Sequence, residues 1–363
     1  MMQKHRELLA QGEESYVFWG RGRNPENKWE YKFGSRAGVY LDGALTRLFG
    51  RAGFYSRKAT KELLEKLDDI NPDVVHLHNL HGYYLNIEML FKWLVNHSCE
   101  VRWTLHDCWA LTGHCIYFTY IGCEQWKNRC SEDKTCPQIA TYPKTISRRS
   151  CLRNYEDKKR IFTSVSKERM TIITPSHWLE NLVKKSFLND YLVEVHRNAI
   201  DAKIFQPTPS NFRKEYGIGN RFMILGVASP WTERKGLLYF IQLAESLNPE
   251  KYSIVLVGLS KKQIRKTCKK IIGITHTENA LELAKIYSAA DLLIQPSIEE
   301  TFGMTVAEAQ ACGTSVLVVK DSACEEIAED RNKFVIEDLS SLKEMVIDLS
   351  EKVPNLGKTI QSR

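Results

Sequence analysis

The sequence of 363 residues predicts an open, mostly parallel α/β fold in two doubly wound domains. Short apolar runs alternate with amphipathic helical stretches in both halves, which is the pattern of parallel sheets. The apolar runs of the first half end in polar or glycine-containing residues, as strands do where they open onto a ligand crevice. A polar connector at residues 198–220 contains two prolines and predicts the domain junction.

In the first half, the predicted buried strands are SYVFWG, DVVHLHN and VRWTLHD, followed later by MTIITPS. The helical stretches are TKELLEKLDDI and a segment that starts at His177, HWLENLVKKSF. The chain itself opens on a helix-like run, MMQKHRELLAQG.

The second half repeats this alternation. Its predicted strands are RFMILGVAS, YSIVLVG, ADLLIQPS and TSVLVVK, and its helices include LLYFIQLAESL and ALELAKIYSAA. We therefore expect an N-terminal domain over residues 1–200, a C-terminal domain over residues 201–345 and a tail over residues 346–363.

The composition, 43% hydrophobic and 26% charged, is that of a soluble globular protein. The net charge of +7 is dispersed and no nucleic-acid-binding motif accompanies it, so we expect no nucleic-acid partner. An anionic small substrate or an anionic membrane surface fits this mild basic excess. No run approaches the ~18 apolar residues of a membrane span, and the N-terminus lacks a signal-peptide core. These features predict a cytoplasmic protein, with a peripheral membrane contact as a further option, and reduced cysteines.

The stretch EETFGMTVAEAQACG, residues 299–313, has two interpretations. In the structural one, Thr305 and Glu308 form a capping box at an ordinary helix start. In the functional one, the stretch is an anion-binding corner at a helix N-terminus. Its backbone donors would be the amides of Phe302, Gly303 and Met304.

The stretch GVASPWTERKGLLYF places Arg234, Lys235 and Gly236 between a strand and a helix. A solvated helix start is the structural alternative. The functional interpretation is a diphosphate site, because a lysine charge stabilises a departing nucleoside diphosphate and glycine lets the backbone approach it closely. The ligand of such a site would be a nucleotide sugar, which transfers its sugar and loses the diphosphate. Carboxylates accept hydrogen bonds from hydroxyl groups, so Glu300 would hold the transferred sugar and Glu308 the ribose of the nucleotide.

Taken together, these motifs resemble the retaining glycosyltransferases of family 4, which have the GT-B fold. The motifs are RKG at 234–236, Glu300 and Glu308 as E-x7-E with FG between them, and RNAID at 197–201, which is similar to the family's PNGID. In the first half, VVHLHNLHGYYLN, TLHDCWALTGHC and ITPSHWL resemble a bacterial subgroup that assembles exopolysaccharide, capsule or colanic-acid-type polymers. The resemblance extends from about Ser15 to Glu326.

The resemblance implies two Rossmann-like domains that face each other across a cleft. It also implies transfer of a sugar, with retention, from a nucleotide-diphosphate sugar to a polysaccharide or lipid-linked acceptor, without a metal or other cofactor. In such a site Glu300 contacts the donor sugar, Glu308 the ribose, and Lys235 with Arg234 the diphosphate.

For the remaining positions, the resemblance places His106 against the transferred sugar near the reacting carbon. It places base recognition on the IGITHT loop, around Thr275 and His276. His76, His78, His81 and His114 are lesser candidates, and of these His78 and His81 are expected to line the acceptor side. Without the resemblance, His106 would be interpreted as a satisfied strand-end histidine.

The chain departs from the family in three places. Ser229-Pro230-Trp231 occupies the region where an arginine is usual, and residues 321–324 replace a Gly-Gly pair. The family's opening strand and its glycine-rich loop are not found ahead of the first helix, so we expect the N-terminal domain to lack its first strand. This departure supports an alternative function, a catalytically impaired carbohydrate-binding or scaffold protein. Another GT-B activity, such as an epimerase or a phosphorylase, is the alternative among enzymes.

Four cysteines fall in one loop-like stretch: Cys115, Cys123, Cys130 and Cys136. Four thiolates could hold a structural zinc ion, which would stabilise an insertion with little core of its own. Their spacings are wider than those of usual zinc motifs, so partly buried reduced thiols are the alternative.

Overall fold

The computed structural model describes residues 1–267 and 269–352. Contacts divide the chain into two compact units. Unit 1 consists of Met1–Pro175 and Leu179–His196. Of the described residues, unit 2 contains Ser176–Trp178 together with 197–267 and 269–352.

The strands of unit 1 form two parallel sheets. β1 (Val17–Trp19) pairs with β2 (Glu30–Lys32). The second sheet has the order β3-β4-β5-β6, with β3 (Val74–Leu77), β4 (Glu100–Thr104), β5 (Met170–Thr174) and β6 (Leu192–Val195). β3 was predicted to be buried, which is wrong: it is an edge strand of this sheet and Val74 is 45% exposed.

Amphipathic helices connect these strands. They are α1 (Met2–Ala10), α2 (Arg36–Phe49), α3 (Arg57–Ile70), α4 (Ile87–Asn96), α5 (Ser150–Phe162) and α6 (His177–Lys184). α6 begins at His177, as the sequence predicted. None of the helices in the described ranges is long and apolar enough to cross a membrane.

The segment between β4 and α5 is irregular. Residues 105–149, all of them described, contain three short 3₁₀ turns and otherwise no helix or strand. Lys158 of α5 holds this segment in place: its Nζ donates to the carbonyl oxygens of Trp109 at 2.8 Å and Thr112 at 3.0 Å. Burial lowers the pKa of Lys158 to about 7. The buried lysine therefore fixes the loop that follows the C-terminal end of β4.

The described part of unit 2 contains one six-stranded parallel sheet of order β12-β11-β10-β7-β8-β9. Its strands are β7 (Phe222–Val227), β8 (Tyr252–Val257), β9 (Ile271–Ile274), β10 (Leu292–Gln295), β11 (Ser315–Val319) and β12 (Lys333–Ile336). Its helices are α7 (Phe212–Glu215), α8 (Leu237–Ser246), α9 (Lys261–Lys266), α10 (Ala280–Ala289), α11 (Met304–Ala311), α12 (Ala323–Ile327) and α13 (Leu342–Lys352). Separate apolar clusters cover the two faces of the sheet, which is the doubly wound arrangement.

The C-terminal domain continues past residue 345, where a tail was expected. α13 runs to Lys352, and its Val346 and Leu349 are buried in the apolar cluster that also contains Phe240 of α8. Residues 346–352 therefore belong to the folded unit because they supply part of its core. The rest of the expected tail, residues 353–363, lies outside the described residues.

Candidate active site

Glu300 lies in the loop between β10 and α11 and is the centre of a charged cluster in unit 2. Its Oε1 accepts hydrogen bonds from four side chains and the carboxylate is nearly buried, with 8% of the residue exposed. The donors are Lys235 Nζ, Ser297 Oγ at 2.8 Å, Arg234 Nη1 at 3.1 Å and Gln295 Nε2 at 3.4 Å. Two cations on one carboxylate compensate for its desolvation.

Both cations come from the turn between β7 and α8. Glu233–Lys235 form one 3₁₀ turn, which ends at Gly236 with φ +75°. A Cβ at Gly236 would lie 2.5 Å from Cγ of Pro296, which follows β10. Glycine is thus required here both by its backbone angle and by its packing, and it brings Lys235 to the C-terminal end of the neighbouring strand.

α11 begins two residues earlier than a capping box at Thr305 and Glu308 requires. Its N-cap is Gly303, with φ +91° and no side-chain cap, and Met304 is the first helical residue. The structural interpretation, in which Thr305 caps this helix, is therefore wrong, because the left-handed Gly303 already starts the helix. A Cβ at Gly303 would lie 2.7 Å from Sγ of the buried Cys324, so glycine allows close packing here as well.

Glu308 likewise has a different partner from the one a capping box would provide. Its Oε2 accepts a hydrogen bond of 3.0 Å from the hydroxyl group of Tyr287, a fully buried side chain of α10. Burial raises the pKa of Glu308, and this hydrogen bond partly opposes the rise. Phe302, next to Gly303, is buried and belongs to the wall of the corner rather than to its polar surface.

Thr275 and His276 immediately follow β9. Oγ1 of Thr275 lies 3.0 Å from Nδ1 of His276, whose side chain is exposed. The turn after β8 is hydrogen-bonded to the C-terminal end of β9, because the amides of Gly258 and Leu259 both donate to the carbonyl oxygen of Ile274. These residues therefore lie at the C-terminal edge of the sheet, as do Lys235 and Glu300.

In unit 1, His106 follows β4 and lies against a row of imidazoles. Its Nε2 is 3.0 Å from Nδ1 of His78, and the two rings are stacked with centroids 5.3 Å apart. His78 stacks in turn on His76 at 4.3 Å. Desolvation lowers the pKa of His106, lowers that of His78 to about 3, and lowers that of His76 to about 4. This row is therefore uncharged near neutral pH.

His81 connects two further polar groups in the same unit. Its Nε2 lies 2.7 Å from Oδ2 of Asp107, and its Nδ1 lies 3.1 Å from the hydroxyl oxygen of Tyr142. Asp107 also accepts from the amide of Trp109 at 2.8 Å. His78, His81, His106 and Asp107 line one small cavity at the C-terminal ends of β3 and β4, where parallel sheets bind ligands.

The cysteine-rich stretch contains hydrogen-bonded thiols. Cys136 accepts hydrogen bonds from the thiols of Cys115 and of Cys151, a residue outside the predicted set, and these contacts lower the pKa of Cys136. Cys130 is buried nearby and accepts from the amide of Gly113 at 3.3 Å, whereas Cys123 is partly exposed. Within residues 1–267 and 269–352, no group of three or more His, Cys, Asp or Glu side chains could hold a metal ion. The zinc interpretation therefore receives no support from this geometry.

Several residues around these sites were missed in the sequence. Gln295 and Ser297 flank the proline after β10, and a polar residue at the end of an otherwise apolar strand was the available signal. Asp107 was visible as the neighbour of His106. Tyr142 and Tyr287 had no local signal, because their partners lie far away in the chain.

Residues 220–352 match the family model of group 1 glycosyl transferases. A putative colanic acid biosynthesis glycosyl transferase, WcaC of Escherichia coli, is 31% identical over 151 residues, which cover 38% of this chain and 36% of that protein. The processive diacylglycerol alpha-glucosyltransferase of Acholeplasma laidlawii is 29% identical over 53% of this chain and 62% of its own length. The chain thus spans less than two thirds of both relatives.

Among solved structures, sucrose-phosphate synthase of Thermosynechococcus elongatus has a TM-score of 0.67 at 14% identity, covering 99% of this chain and 86% of that one. Anabaena HepE in complex with UDP-glucose has a TM-score of 0.56 at 15% identity, covering 84% and 76%. The fold is accordingly the mixed α/β fold of the GT-B glycosyltransferases. Residues 220–352 are thus similar in sequence to group 1 glycosyl transferases, and the chain is similar in fold to GT-B proteins.

Proposed function

We propose that the protein is a retaining glycosyltransferase of family 4 that uses a nucleotide-diphosphate sugar as its donor. The observation that carries the proposal is the cluster of Lys235, Arg234 and Glu300 beside the N-terminus of α11. Cations and helix amides together stabilise the negative charge of a departing diphosphate. HepE was solved with UDP-glucose, and this supports a donor of the same chemical class.

In this proposal the carboxylates recognise hydroxyl groups. Glu300 accepts from the transferred sugar once Lys235 turns toward the diphosphate, and Glu308 accepts from the ribose. Thr275 and His276 border the base. His106 contacts the transferred sugar as a neutral imidazole, because the pKa of its ring is lowered by desolvation. The sugar is handed to a surface-polysaccharide or lipid-linked acceptor, and no cofactor takes part.

A stability screen with nucleotides and nucleotide sugars tests the donor assignment, since a ligand that prefers the folded state raises the melting temperature. We expect UDP or another nucleoside diphosphate to raise it in the wild type and not in Lys235→Ala. Lys251→Ala is the matched control, because Lys251 is exposed and precedes β8, at the opposite end of the strand from the site. Equal shifts in both variants would refute the assignment.

Retention is tested separately by the anomeric configuration of the product. NMR of the first product formed from an α-linked donor should show an α-linkage, whereas a β-linked product would contradict the retaining mechanism. A protein that binds nucleotide sugars but transfers none to any saccharide offered would favour the carbohydrate-binding alternative.

A peripheral contact with an anionic membrane belongs to the same proposal. α2 exposes Tyr40 (75%), Leu41 (61%) and Phe49 (57%), and Ile146, whose amide donates to the carbonyl oxygen of Arg47, is 68% exposed. The exposed cations beside them are Arg47, Lys144, Arg148 and Arg149. The acidic residue of α2, Asp42, is buried and hydrogen-bonded to Ser56 and Thr46.

An amphipathic helix with aromatic and basic side chains binds the interface of anionic bilayers. Sedimentation with vesicles tests this contact. Vesicles containing phosphatidylglycerol should retain the protein, vesicles of phosphatidylcholine should not, and Leu41→Ser/Phe49→Ser should weaken the binding. Binding that is insensitive to this double substitution would locate the contact elsewhere.

A further inference from the structure

Arg21 is an exposed arginine that the donor assignment does not use. It follows β1 in the sequence Gly20-Arg21-Gly22, and its Nη1 donates to the carbonyl oxygen of Gly82 at 3.4 Å. No carboxylate in residues 1–267 and 269–352 forms an ion pair with it. The guanidinium group therefore lies at the loop after β3, on an exposed side chain.

The backbone next to Arg21 packs closely against the loop after β3. A Cβ at Gly20 would lie 2.3 Å from Cβ of Tyr84, so the end of β1 packs directly on the loop after β3. In that loop Tyr83 has φ +69°, a conformation that costs a non-glycine residue energy and that is found mainly where surrounding structure enforces it. The loop thus holds its tyrosine in one strained position beside the arginine.

The phenol groups link Arg21 to the cavity of unit 1. The rings of Tyr83 and Tyr142 pack edge to face, with centroids 5.7 Å apart. Tyr142 in turn contacts His81, which holds Asp107. Burial raises the pKa of both phenols, and the charge of Arg21 acts on both in the opposite direction. One cation, two neutral hydroxyl donors and one carboxylate–imidazole pair therefore adjoin one another.

We propose that this cluster binds the acceptor, and that the acceptor carries an anionic group which Arg21 recognises. The proposal rests on the transferase function above and adds the chemical class of the acceptor, a saccharide with a phosphate or carboxylate. Arg21 and the hydroxyl groups of Tyr83 and Tyr142 receive the anion, because a guanidinium fork pairs with such oxygens in two parallel hydrogen bonds. Asp107, held by His81, accepts from a hydroxyl group of the sugar.

Ligand-observed NMR titrations with three probes test the proposal, all in saturating UDP so that the donor site is occupied. The probes are methyl β-D-glucoside, methyl β-D-glucuronide and α-D-glucose 1-phosphate. At low ionic strength, at least one anionic probe should bind about tenfold or more tightly than the neutral glucoside. The preferred anion identifies the source: a carboxylate indicates an acidic sugar, and a phosphate indicates the anomeric phosphate of a lipid-linked sugar.

Arg21→Gln should abolish this preference, and Arg21→Lys should retain part of it, since lysine keeps the charge without the planar fork. Arg6→Gln is the matched control, because Arg6 is an exposed arginine on α1, and it should leave the preference unchanged. No preference in the wild type, no binding of either anionic probe, or a preference that survives in Arg21→Gln would overturn the proposal. The donor assignment is tested independently, because UDP-dependent stabilisation depends on Lys235 and not on Arg21.

Discussion

The hydrogen bond between Tyr287 and Glu308 permits a test that separates structural from binding roles. Glu308→Ala leaves the hydroxyl group of Tyr287 buried without its acceptor, which should cost about 2 kcal/mol of unfolding free energy. Glu308→Gln keeps an acceptor oxygen in place and should cost less than ~1 kcal/mol. If Glu308 also holds the ribose, this same glutamine variant should weaken donor binding by about tenfold, because a charge-assisted hydrogen bond is lost.

The assay combines urea denaturation with calorimetric titration of UDP. In a Tyr287→Phe background, Glu308→Ala should cost less than ~1 kcal/mol, because no hydroxyl group is then left unsatisfied. An equal cost of Glu308→Ala with and without the phenol would refute the structural reasoning. Unchanged UDP affinity in Glu308→Gln would refute the assignment to ribose.

The same pair predicts a dependence of stability on pH. Burial raises the pKa of folded Glu308 above the unfolded value, so this group favours folding below its unfolded pKa and loses that contribution as the pH rises through the folded pKa. Tyr287→Phe removes the hydrogen bond that opposes the rise, so the folded pKa should rise further. The variant should therefore lose more stability than the wild type as the pH rises above the unfolded pKa of Glu308, which urea denaturation at a series of pH values would show.

Three further predictions concern other residues. Glu300→Gln and Lys235→Ala should each lower turnover by about two orders of magnitude or more while the far-ultraviolet circular dichroism stays unchanged, and a near wild-type rate in either would contradict its role. Gly303→Ala should destabilise unit 2 more than Gly219→Ala. Both glycines have a positive φ, but a Cβ at position 303 would meet Cys324, whereas a Cβ at position 219 would meet nothing within 4 Å. Equal melting temperatures of the two variants would contradict this prediction. Lys158→Met should cost about 2–3 kcal/mol through two unsatisfied carbonyl groups. Because the pKa of Lys158 is lowered to about 7, that cost should be larger at about pH 9 than at about pH 6, as denaturation at both values would show.

The sequence predicted the sheet of unit 2 well because its central strands are buried on both faces. Four of these strands are nearly continuous apolar runs: β7, β8, β10 and β11. Such a run can be recognised as a buried strand from its own sequence, without knowledge of the strands beside it. β2 and β6 were missed because their sequences, EYK and LVEV, are short and partly polar. Strands of this kind are fixed by pairing with a neighbour, and the pairing is not encoded locally.

The same distinction between local sequence patterns and long-range contacts applies to the candidate site. Lys235 and Glu300 were recognisable because short motifs carry them, and each motif is local. That they form an ion pair 65 positions apart follows from the adjacency of β7 and β10, which no local pattern contains. The contact between His81 and Tyr142 is likewise a product of tertiary packing. Of the two interpretations of residues 299–313, the capping box misplaced the helix start, because the left-handed conformation of Gly303 is visible only in the structure.

The ion pair between Lys235 and Glu300 means that the ammonium group of this corner already has a counter-ion within the protein. On the proposed assignment, a nucleotide would have to compete with Glu300 for the ammonium group, and this internal competitor would weaken binding of the diphosphate. If the nucleotide carries a sugar, the carboxylate of Glu300 released from Lys235 would accept hydrogen bonds from the sugar hydroxyl groups. These new hydrogen bonds would replace the lost ion pair. Such an exchange of partners would let the protein favour the intact donor over the spent nucleotide, and so limit inhibition by its own product.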